Sequence, residues 1–268
     1  MTSQNDMQPN KMSDDELNGH IKTLGIRSLE NDNLDEFIRI AKQKSWATRA
    51  IIENLIRKEL AERERRSLAW RHKDSRIGSF KPMADFDWGW PEKIDRKTVE
   101  RMVTADFVDR GDNVILVGTQ GLGKTMIAKN IVHNAVNRGH TALFVQAAQM
   151  LVDLGAQDSV SGLERRLKHY TKPKLLCIDE VGYLSYDQRA ADFLFQVVSR
   201  RYESKSVIIT THLAFKDWPT VFPGATSVAS LIDRLIHHSE ISLIEGESFR
   251  KRQAKARKAK STKAGKSK

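Results

Sequence analysis

A glycine-rich segment that ends in a lysine and a threonine gives this sequence its clearest chemical signal. Residues 118–125 read Gly-Thr-Gln-Gly-Leu-Gly-Lys-Thr, which matches the GxxxxGK(S/T) pattern of phosphate-binding loops. Glycines let backbone N–H groups curl around phosphate oxygens, and the N-terminus of the following helix adds positive potential. Lys124 is predicted to reach the β- and γ-phosphates of ATP as a catalytic residue, and the Thr125 hydroxyl to ligate Mg²⁺. The predicted ATP-binding residues are Gly118, Thr119, Gln120, Gly121, Leu122, Gly123, Lys124, Thr125 and Met126.

An Asp-Glu pair follows the apolar run Leu-Leu-Cys-Ile at residues 175–178. The run predicts a buried strand with Asp179 and Glu180 at its carboxyl end, where ligands bind in parallel sheets. Asp179 is predicted to hold Mg²⁺, directly or through water, and Glu180 to orient and activate the attacking water. Kinases of small molecules need no such glutamate, so the pair favours an ATPase. The alternative is that Glu180 is a solvated acid at a strand end.

A third polar group follows the apolar residues Ile208 and Ile209. His212 would lie between the two phosphate motifs and could sense the γ-phosphate as a catalytic residue. A histidine satisfied at a strand end is nearly as good an interpretation. The remaining histidines show no HExxH or Cys/His spacing, so the sequence predicts no transition-metal site. The single cysteine, Cys177, is interpreted as core packing.

Short β-branched runs alternate with amphipathic segments from residue 112 onward. This alternation predicts an α/β fold with a parallel sheet and helices on both of its faces. Strands are predicted at 113–118, 141–146, 174–180 and 206–210, and helices at 124–137, 147–154, 161–170 and 189–203. Upstream, helical periodicity predicts a small all-helical module with one apolar stripe of Ile51, Ile52, Leu55, Ile56 and Leu60.

Composition divides the chain into five predicted segments. They are a disordered segment at 1–15, the helical module at 16–76, a linker and the start of the core at 77–111, the ATPase core at 112–250, and a disordered basic tail at 251–268. The linker is rich in proline, glycine and aromatic residues. Phe86, Trp88 or Trp90 could stack near adenine, but packing of the linker onto the core is the favoured interpretation.

The net charge of +11 is unevenly distributed. Residues 251–268 contain nine Lys or Arg and no acid, and residues 41–76 contain eleven basic and five acidic side chains, which leaves a net acidic remainder. These basic flanks predict sequence-independent attraction to DNA phosphates. A solubilising tail and a salt-bridged helix surface are the alternatives. The candidate DNA contacts are Arg57, Lys58, Arg63, Arg65, Arg66, Arg71 and Lys73.

The sequence contains no run of about 20 apolar residues of the kind that crosses a bilayer. Its polar N-terminus lacks the apolar stretch of a secretory signal. We therefore expect a cytoplasmic protein that does not contact membranes.

Several stretches together resemble the IstB-type ATPases of bacterial insertion sequences, which belong to the AAA+ group beside the helicase loader DnaC. They are VTADFVDRGDNVILVG, GLGKTMIA, IDEVGYLSYDQ, LFQVVSRRYE, ITTHLAFKDWPTVF, LIDRLIHHSEI and EGESFRKR, which extend from about residue 80 to 252. The phosphate motif alone is common to many ATPases, whereas the combination of IDEVGYL, SRRYE, LIDRLIHH and GESFR is specific.

The resemblance implies roles for individual residues. The family's Asp-Glu pair falls on Asp179 and Glu180, and its first sensor position, commonly asparagine, falls on His212. A neutral imidazole can still donate a hydrogen bond, and Thr211 is the substitute candidate. Arg234 falls where the relatives place an arginine finger, which reaches the γ-phosphate of a neighbouring subunit and makes a homo-oligomer necessary. Arg250 falls at a possible second sensor.

The resemblance also implies a P-loop AAA+ core without a separate C-terminal lid, and partners in DNA transposition. Such ATPases assemble on duplex DNA, deform it, and recruit or activate a partner transposase. Three alternatives stay open: a helicase loader similar to DnaC, a P-loop kinase of a small molecule, and a nucleotide-dependent scaffold that hardly hydrolyses ATP.

Overall fold

The computed structural model describes residues 12–30, 33–183, 187–249 and 252. The chain divides into two compact units, Met1–Ala69 and Trp70–Lys268. The predicted helical module, 16–76, extends seven residues past the end of the first unit. Most of the segments predicted to be disordered, 1–15 and 251–268, lie outside the described residues. Asp14 and Asp15, however, form the first turn of a helix that Ser13 and Glu16 cap reciprocally.

The first unit is helical, as the periodicity predicts. Its helices are α1 (Asp14–Leu24), α2 (Asn33–Gln43) and α3 (Thr48–Asp74), with a 3-10 turn at Arg27–Leu29, and the unit boundary falls within α3. Gly25 ends α1 in the left-handed conformation, at φ 67°, where a residue without Cβ is favoured.

A small apolar cluster holds the first unit together. Ile21, Leu29 and Phe37 are its buried members, and Ile51 and Leu55 of α3 pack against them. The other members of the predicted stripe on α3 face solvent: Ile52, Ile56 and Leu60. Only one edge of the stripe is therefore buried within the described residues.

The second unit contains a five-stranded parallel sheet. Its strands are β1 (Asn113–Gly118), β2 (Ala142–Gln146), β3 (Leu175–Val181), β4 (Ser206–Thr211) and β5 (Ser239–Ile244), in the order β2-β3-β4-β1-β5. Four of these strands were predicted. The fifth was missed because it is an edge strand whose polar residues mask the apolar run; Ile241 and Leu243 face solvent while Ser242 and Ile244 are buried.

Helices cover the sheet. They are α4 (Arg96–Val103), α5 (Phe107–Arg110), α6 (Lys124–Asn137), α7 (Ala147–Gly155), α8 (Val160–Thr171), α9 (Gln188–Arg201), α10 (Trp218–Val221) and α11 (Ser227–His237), with 3-10 turns at Met83–Asp85 and Phe215–Asp217. The segment 77–111, predicted as a linker and the start of the core, contributes α4 and α5, and Val99 and Met102 of α4 are fully buried. Among the described helices, none is long and apolar enough to cross a membrane.

The strand register brings the polar strand ends to one edge of the sheet. Val117 of β1 pairs with Thr211 of β4, and Val181 of β3 pairs with the same threonine. All six residues of β1 and six of seven in β3 are buried, so these strands are fixed by apolar contacts on both faces. The sheet thereby presents its carboxyl edge as a rigid platform for the side chains that follow.

Candidate nucleotide-binding site

The glycine-rich loop connects β1 to α6, as its motif requires. Gly123 precedes the helix at φ 88°, and a Cβ there would lie 2.6 Å from the ring of Phe86. A Cβ on Gly118 would lie 2.2 Å from the Ile244 carbonyl oxygen of the adjacent strand. Glycine at 123 permits the left-handed turn, and glycine at 118 permits the close approach of β1 and β5.

The first two side chains of α6 have different hydrogen-bond partners. The Lys124 Nζ donates to the carbonyl oxygens of Gly118 and Thr119, at 2.6 and 2.8 Å. The Thr125 Oγ1 donates to the carboxylate of Asp179, with 3.1 Å to each oxygen. The structure thus places a cation and a hydroxyl–carboxylate pair at the same helix N-terminus.

Asp179 is the buried carboxylate of the site, with 2% of its surface exposed. Burial raises its pKa, and hydrogen bonds from Thr210 and Thr125 counteract part of that rise. The Thr210 Oγ1 lies 2.5 Å from Asp179 Oδ1. We assigned no role to Thr210 from the sequence, although a polar residue that ends an otherwise apolar strand was a usable signal. It fixes the orientation of the carboxylate.

A β-bulge directs Glu180 away from the regular strand alternation. The register between β3 and β4 shifts between Ile178 and Val181, and Glu180 has a φ of 63°. Its backbone N–H donates to Thr210 Oγ1 at 2.9 Å. A non-glycine residue in this conformation costs on the order of 1–3 kcal/mol, and such strain concentrates at functional sites. Glu180 lines the same cavity as Lys124 and Thr125.

His212 lines this cavity beyond the end of β4. Its ring is 5.4 Å from the Tyr183 ring, edge to face, and its buried Nδ1 has no hydrogen-bond partner among the described residues. Burial lowers its pKa, and the positive charge of Lys124 lowers it further, so the imidazole is neutral at physiological pH. By contrast, the Thr211 Oγ1 accepts a hydrogen bond from the Leu213 N–H at 3.1 Å.

The cavity has a volume of about 260 Å³ and one aromatic wall. Phe86, Trp90 and Phe249 line it, and the Trp90 Nε1 donates to the Glu247 carbonyl at 2.8 Å. Trp88 lines a different cavity. The aromatic segment therefore packs onto the core and also contributes to the site, so the two interpretations left open for Phe86 and Trp90 are compatible.

Most of the predicted site residues surround this cavity. Those that line it are Gln120, Gly121, Leu122, Gly123, Lys124, Thr125, Met126, Glu180, Thr211 and His212. Gly118, Thr119 and Asp179 are not among the lining residues. The lining residues to which we had assigned no role are Lys81, Asp85, Asp87, Pro91, Tyr183, Thr210 and Phe249. No sequence spacing marks them as a group, because they come from distant segments.

Arg234 lies on α11 and is not among the cavity-lining residues of its own chain. Its Nη1 donates to the Ser199 hydroxyl, and its guanidinium carbon lies 4.7 Å from the ring centroid of Phe195. The possible second sensor, Arg250, lies outside the described residues. Nearby, the Arg252 guanidinium carbon lies 4.4 Å from the Trp90 ring.

The basic side chains of the first unit differ in their partners. Arg63, Arg65 and Arg66 form ion pairs with the glutamates that interrupt the basic run, Glu59 and Glu62. These three therefore match the alternative interpretation of a salt-bridged helix surface. Arg57 is exposed, and the Lys58 Nζ lies 5.8 Å from the Phe37 ring centroid.

In the second unit, Lys73 belongs to a basic cavity. His72, Arg76, Phe80 and His133 also line it. The His72 Nε2 lies 2.9 Å from the Asn137 Oδ1, and the Asn137 Nδ2 lies 3.2 Å from the His133 Nδ1. Arg71 is partly buried on the last turns of α3. The cavity contains cationic groups of the kind that contact phosphates and aromatic rings of the kind that stack on bases.

Comparisons with known proteins support one family. A family model described as IstB-like ATP binding protein matches residues 19–257. The chain is 34% identical over 206 residues to a protein from Geobacillus stearothermophilus, named as an ATP-binding protein of insertion sequence IS5376. The alignment covers 77% of this chain and 82% of that protein. It is 32% identical to one named for insertion sequence IS21 from Pseudomonas aeruginosa, over 87% of this chain and 83% of that one.

Among solved structures, the crystal structure of the DnaI aligns with a TM-score of 0.52 at 18% identity. The alignment covers 64% of this chain and 90% of the DnaI chain. At this identity the likeness shows a shared fold, which agrees with the predicted P-loop architecture of a parallel sheet flanked by helices.

Proposed function

The chain belongs to the family of IstB-like ATP binding proteins, and from that premise we propose that it is an ATPase that acts on DNA in transposition. In this proposal it assembles on duplex DNA as a homo-oligomer, deforms the DNA, and recruits or activates a partner transposase. ATP binding itself follows from the family. The observation that carries the hydrolytic part is the placement of Glu180, which the bulge in β3 turns into the cavity that Lys124 lines.

Glu180 would orient and activate the attacking water. Its backbone N–H donates to the Thr210 hydroxyl, which in turn donates to Asp179, so Thr210 links the Glu180 backbone to the Asp179 carboxylate. Asp179 is buried while Glu180 is partly exposed in the cavity, so the two acids can have different roles. The buried acid would hold a cation, and the accessible acid would act on water.

The hydroxyl of Thr125 and the carboxylate of Asp179 form a donor set that fits Mg²⁺, a hard cation that prefers oxygen ligands. When bound, Mg²⁺ would supply positive charge that offsets the negative charge developing on the phosphate oxygens. The buried carboxylate supports this fit, because a cation would relieve the burial that raises its pKa. Lys124 would release the Gly118 and Thr119 carbonyls to bind the β- and γ-phosphates.

His212 is the better candidate for sensing the γ-phosphate. Its neutral imidazole lines the cavity and has an unused ring nitrogen, whereas the Thr211 hydroxyl already accepts from Leu213. Either ring nitrogen of a neutral histidine can carry the proton. The departure from asparagine therefore keeps a hydrogen-bond donor at this position.

Arg234 would complete the site of a neighbouring subunit. Within its own chain it does not line the cavity, and its guanidinium stacks on Phe195 beside Ser199, on the surface of α9 and α11. An arginine supplied in trans to a γ-phosphate contributes a factor of about 10³ to 10⁵ in turnover. This assignment makes hydrolysis depend on assembly.

Phosphate release in the presence of duplex DNA tests the hydrolytic role directly. We expect Glu180→Gln to lower turnover by about 10²–10⁴, the usual contribution of a general base, and to leave nucleotide binding intact. The matched control is Glu164→Gln, which changes an exposed glutamate paired with Arg200 and should leave turnover unchanged. Undiminished turnover in Glu180→Gln would remove Glu180 from the mechanism.

Mixing two inactive variants tests whether the site is shared. Glu180→Gln and Arg234→Ala should each hydrolyse ATP poorly alone. A mixture should regain activity, because some interfaces then pair an intact Glu180 with an intact Arg234. If the mixture is no more active than the separate variants, the arginine does not act across subunits.

The candidate DNA contacts differ in their surroundings. Arg65 makes two hydrogen bonds to Glu62, whereas Lys73 lines the cavity of Arg76 and His133. Affinity for duplex DNA should fall steeply with salt, and Lys73→Ala should reduce the salt dependence by about one phosphate contact. Arg65→Ala is the matched control with little expected effect. A salt-insensitive affinity would contradict electrostatic binding.

The names of the curated relatives favour a transposase over a replicative helicase as the partner. The matches at 34% and 32% identity are named for insertion sequences, while the solved structure shares only the fold. Co-purification of the full chain with a transposase of an insertion sequence, in ATP and in ADP, tests this preference. Capture of a replicative helicase in its place would favour the loader alternative.

A further inference from the structure

Three metal-ligating side chains meet on the surface of the second unit. They are Glu203, His237 and His238, and their ligand atoms all lie within 4.8 Å of one another. Among the described residues, this is the group of three His, Cys, Asp or Glu side chains that are close enough together to hold one metal ion. Local spacing in the sequence does not reveal this group, because Glu203 is far from the histidine pair along the chain.

The fold brings these residues together at the amino edge of the sheet. Glu203 lies between α9 and β4, with a φ of 56°, while His237 is the last residue of α11 and His238 connects it to β5. The His238 carbonyl accepts a hydrogen bond of 2.6 Å from the Asn113 N–H at the start of β1. The backbone that carries the donors is thus tied to the sheet.

We propose that Glu203, His237 and His238 bind a divalent cation of the zinc class. Imidazole nitrogen suits zinc, cobalt, nickel and copper, and a carboxylate completes a two-histidine, one-carboxylate set. Zinc bonds of about 2.1 Å in a tetrahedral site place ligands about 3.4 Å apart. The His237 Nδ1 and the His238 Nε2 are 4.0 and 3.9 Å from Glu203 Oε1. Small rotations of exposed side chains would close these distances.

Water would fill the remaining coordination position, because all three residues are exposed. The Tyr202 hydroxyl lies 2.8 Å from the His237 Nδ1, so it competes with a metal for that nitrogen or orients the ring for binding through the other one. Magnesium is a poor occupant, since it prefers oxygen ligands. The site is therefore chemically distinct from the Thr125 and Asp179 pair.

Calorimetric titration with Zn²⁺ tests the site on the full chain, purified without a histidine tag and freed of metal with a chelator. Excess Mg²⁺ occupies the oxygen-ligand sites during the titration. We expect one Zn²⁺ per chain. Glu203→Gln and His238→Gln should each weaken binding at least tenfold, because each removes a ligand. Titration with Co²⁺ should give the intense visible absorption of a low-coordinate site, and the same variants should abolish it.

The matched control is His72→Gln, which disrupts the other close histidine pair, His72 and His133, with rings 5.0 Å apart. It should leave Zn²⁺ binding unchanged. Melting temperatures without metal should stay the same in all variants, because the changed side chains are on the surface. Zn²⁺ binding that is absent in the original protein, or that is equal in the original and the Glu203→Gln protein, would overturn the proposal.

Discussion

The two units of the chain accommodate buried charge in different ways. In the second unit, Arg201 is fully buried and its partners are backbone carbonyls. In the first unit, Glu59 is buried and its charged partners are the side chains of Arg63 and Arg66. The backbone acceptors do not titrate, whereas the ion pairs of Glu59 are partly exposed to solvent and depend on its charge. We therefore expect the stability of the first unit to depend on pH and salt more strongly than the stability of the second unit.

Arg201 fixes the turn between α9 and β4. Its guanidinium donates to four carbonyls, those of Tyr170, Pro173, Lys174 and Ser206, at 2.7–3.1 Å. Burial lowers its pKa to about 9, and the described residues provide no carboxylate partner within ion-pair distance. It remains a cation at neutral pH because the carbonyl oxygens replace its hydration. One side chain thereby joins the ends of α8 and α9 to the starts of β3 and β4.

Glu59 has a comparable joining role in the first unit. It accepts from the Ser28 N–H at 3.0 Å and from the Arg63 Nε at 2.7 Å. Burial alone would raise its pKa, but the hydrogen bonds from Arg63 and Ser28 outweigh that effect and leave the pKa lowered. The carboxylate therefore links α3 to the turn after α1, through contacts that acid can remove.

The largest effect is expected from Arg201→Met. The substitution keeps the volume of the stem but leaves four buried carbonyls without their donor, which should cost about 3–5 kcal/mol in the free energy of unfolding. Arg200→Met is the matched control, because its side chain is exposed and pairs with Glu164. Exposed pairs contribute about 0–1 kcal/mol. Urea unfolding of both variants measures the difference in the free energy of unfolding. Equal losses in the two variants would show that the buried contacts of Arg201 contribute no more than an exposed ion pair.

The next effect is expected from Gly118→Ala at the junction of β1 and β5. A Cβ would lie 2.2 Å from the Ile244 carbonyl oxygen, which is backbone and cannot rotate away. Overpacking of this kind costs about 1–3 kcal/mol, and the shifted loop should also lose ATP affinity. Gly139→Ala separates steric contact from strain, because Gly139 has a positive φ but open space around it. A larger loss in Gly139→Ala would show that backbone strain outweighs the contact.

Much of the second unit could be predicted because its signals are local and strong. The strand at 113–118 and the helix at 124–137 were predicted with their observed bounds. The motif at 118–125 also predicts its own conformation, because glycines and a lysine at this spacing are typical of a phosphate-binding loop. The contact of Thr125 with Asp179 also follows from parallel strands that end at one edge.

The remainder depends on contacts between distant segments, which periodicity does not encode. The polar alternation of β5 hid an edge strand, and the aromatic segment before α4 gave no periodic signal for its packing against Gly123. Thr210 and Glu203 show the same limit, because their partners come from other elements. In the first unit, the stripe on α3 was visible, but the sequence does not specify which edge of it is buried.

The third effect tests the solvent sensitivity of the first unit through Glu59→Gln. Loss of a charged acceptor should cost about 1.5 kcal/mol near neutral pH. The folded pKa of Glu59 is lowered, so its stabilisation is fully present above the unfolded carboxyl value, about 4.3. It is lost as pH falls through the folded pKa. Melting curves of the two proteins should therefore converge in acid.

Glu53→Gln is the matched control for that series, since Glu53 is an exposed partner of Arg49 on the same helix. It should change stability little at any pH. A constant gap between Glu59→Gln and the original protein down to strongly acidic pH would mean that the carboxylate charge is not what stabilises the first unit.

The smallest effect, and the one of opposite sign, is expected from Gly19→Ala. Gly19 lies in the middle of α1, and a Cβ there would meet no atom within 4 Å. Alanine should raise the free energy of unfolding by about 0.5–1 kcal/mol, because it restricts the unfolded chain and has the higher helix propensity. Gly25→Ala is the control, since Gly25 ends α1 at φ 67° and its substitution should destabilise. If Gly19→Ala destabilises as well, the exposed side of α1 is packed against another surface in solution. Gly19 would then be required by packing, as Gly118 is in the second unit.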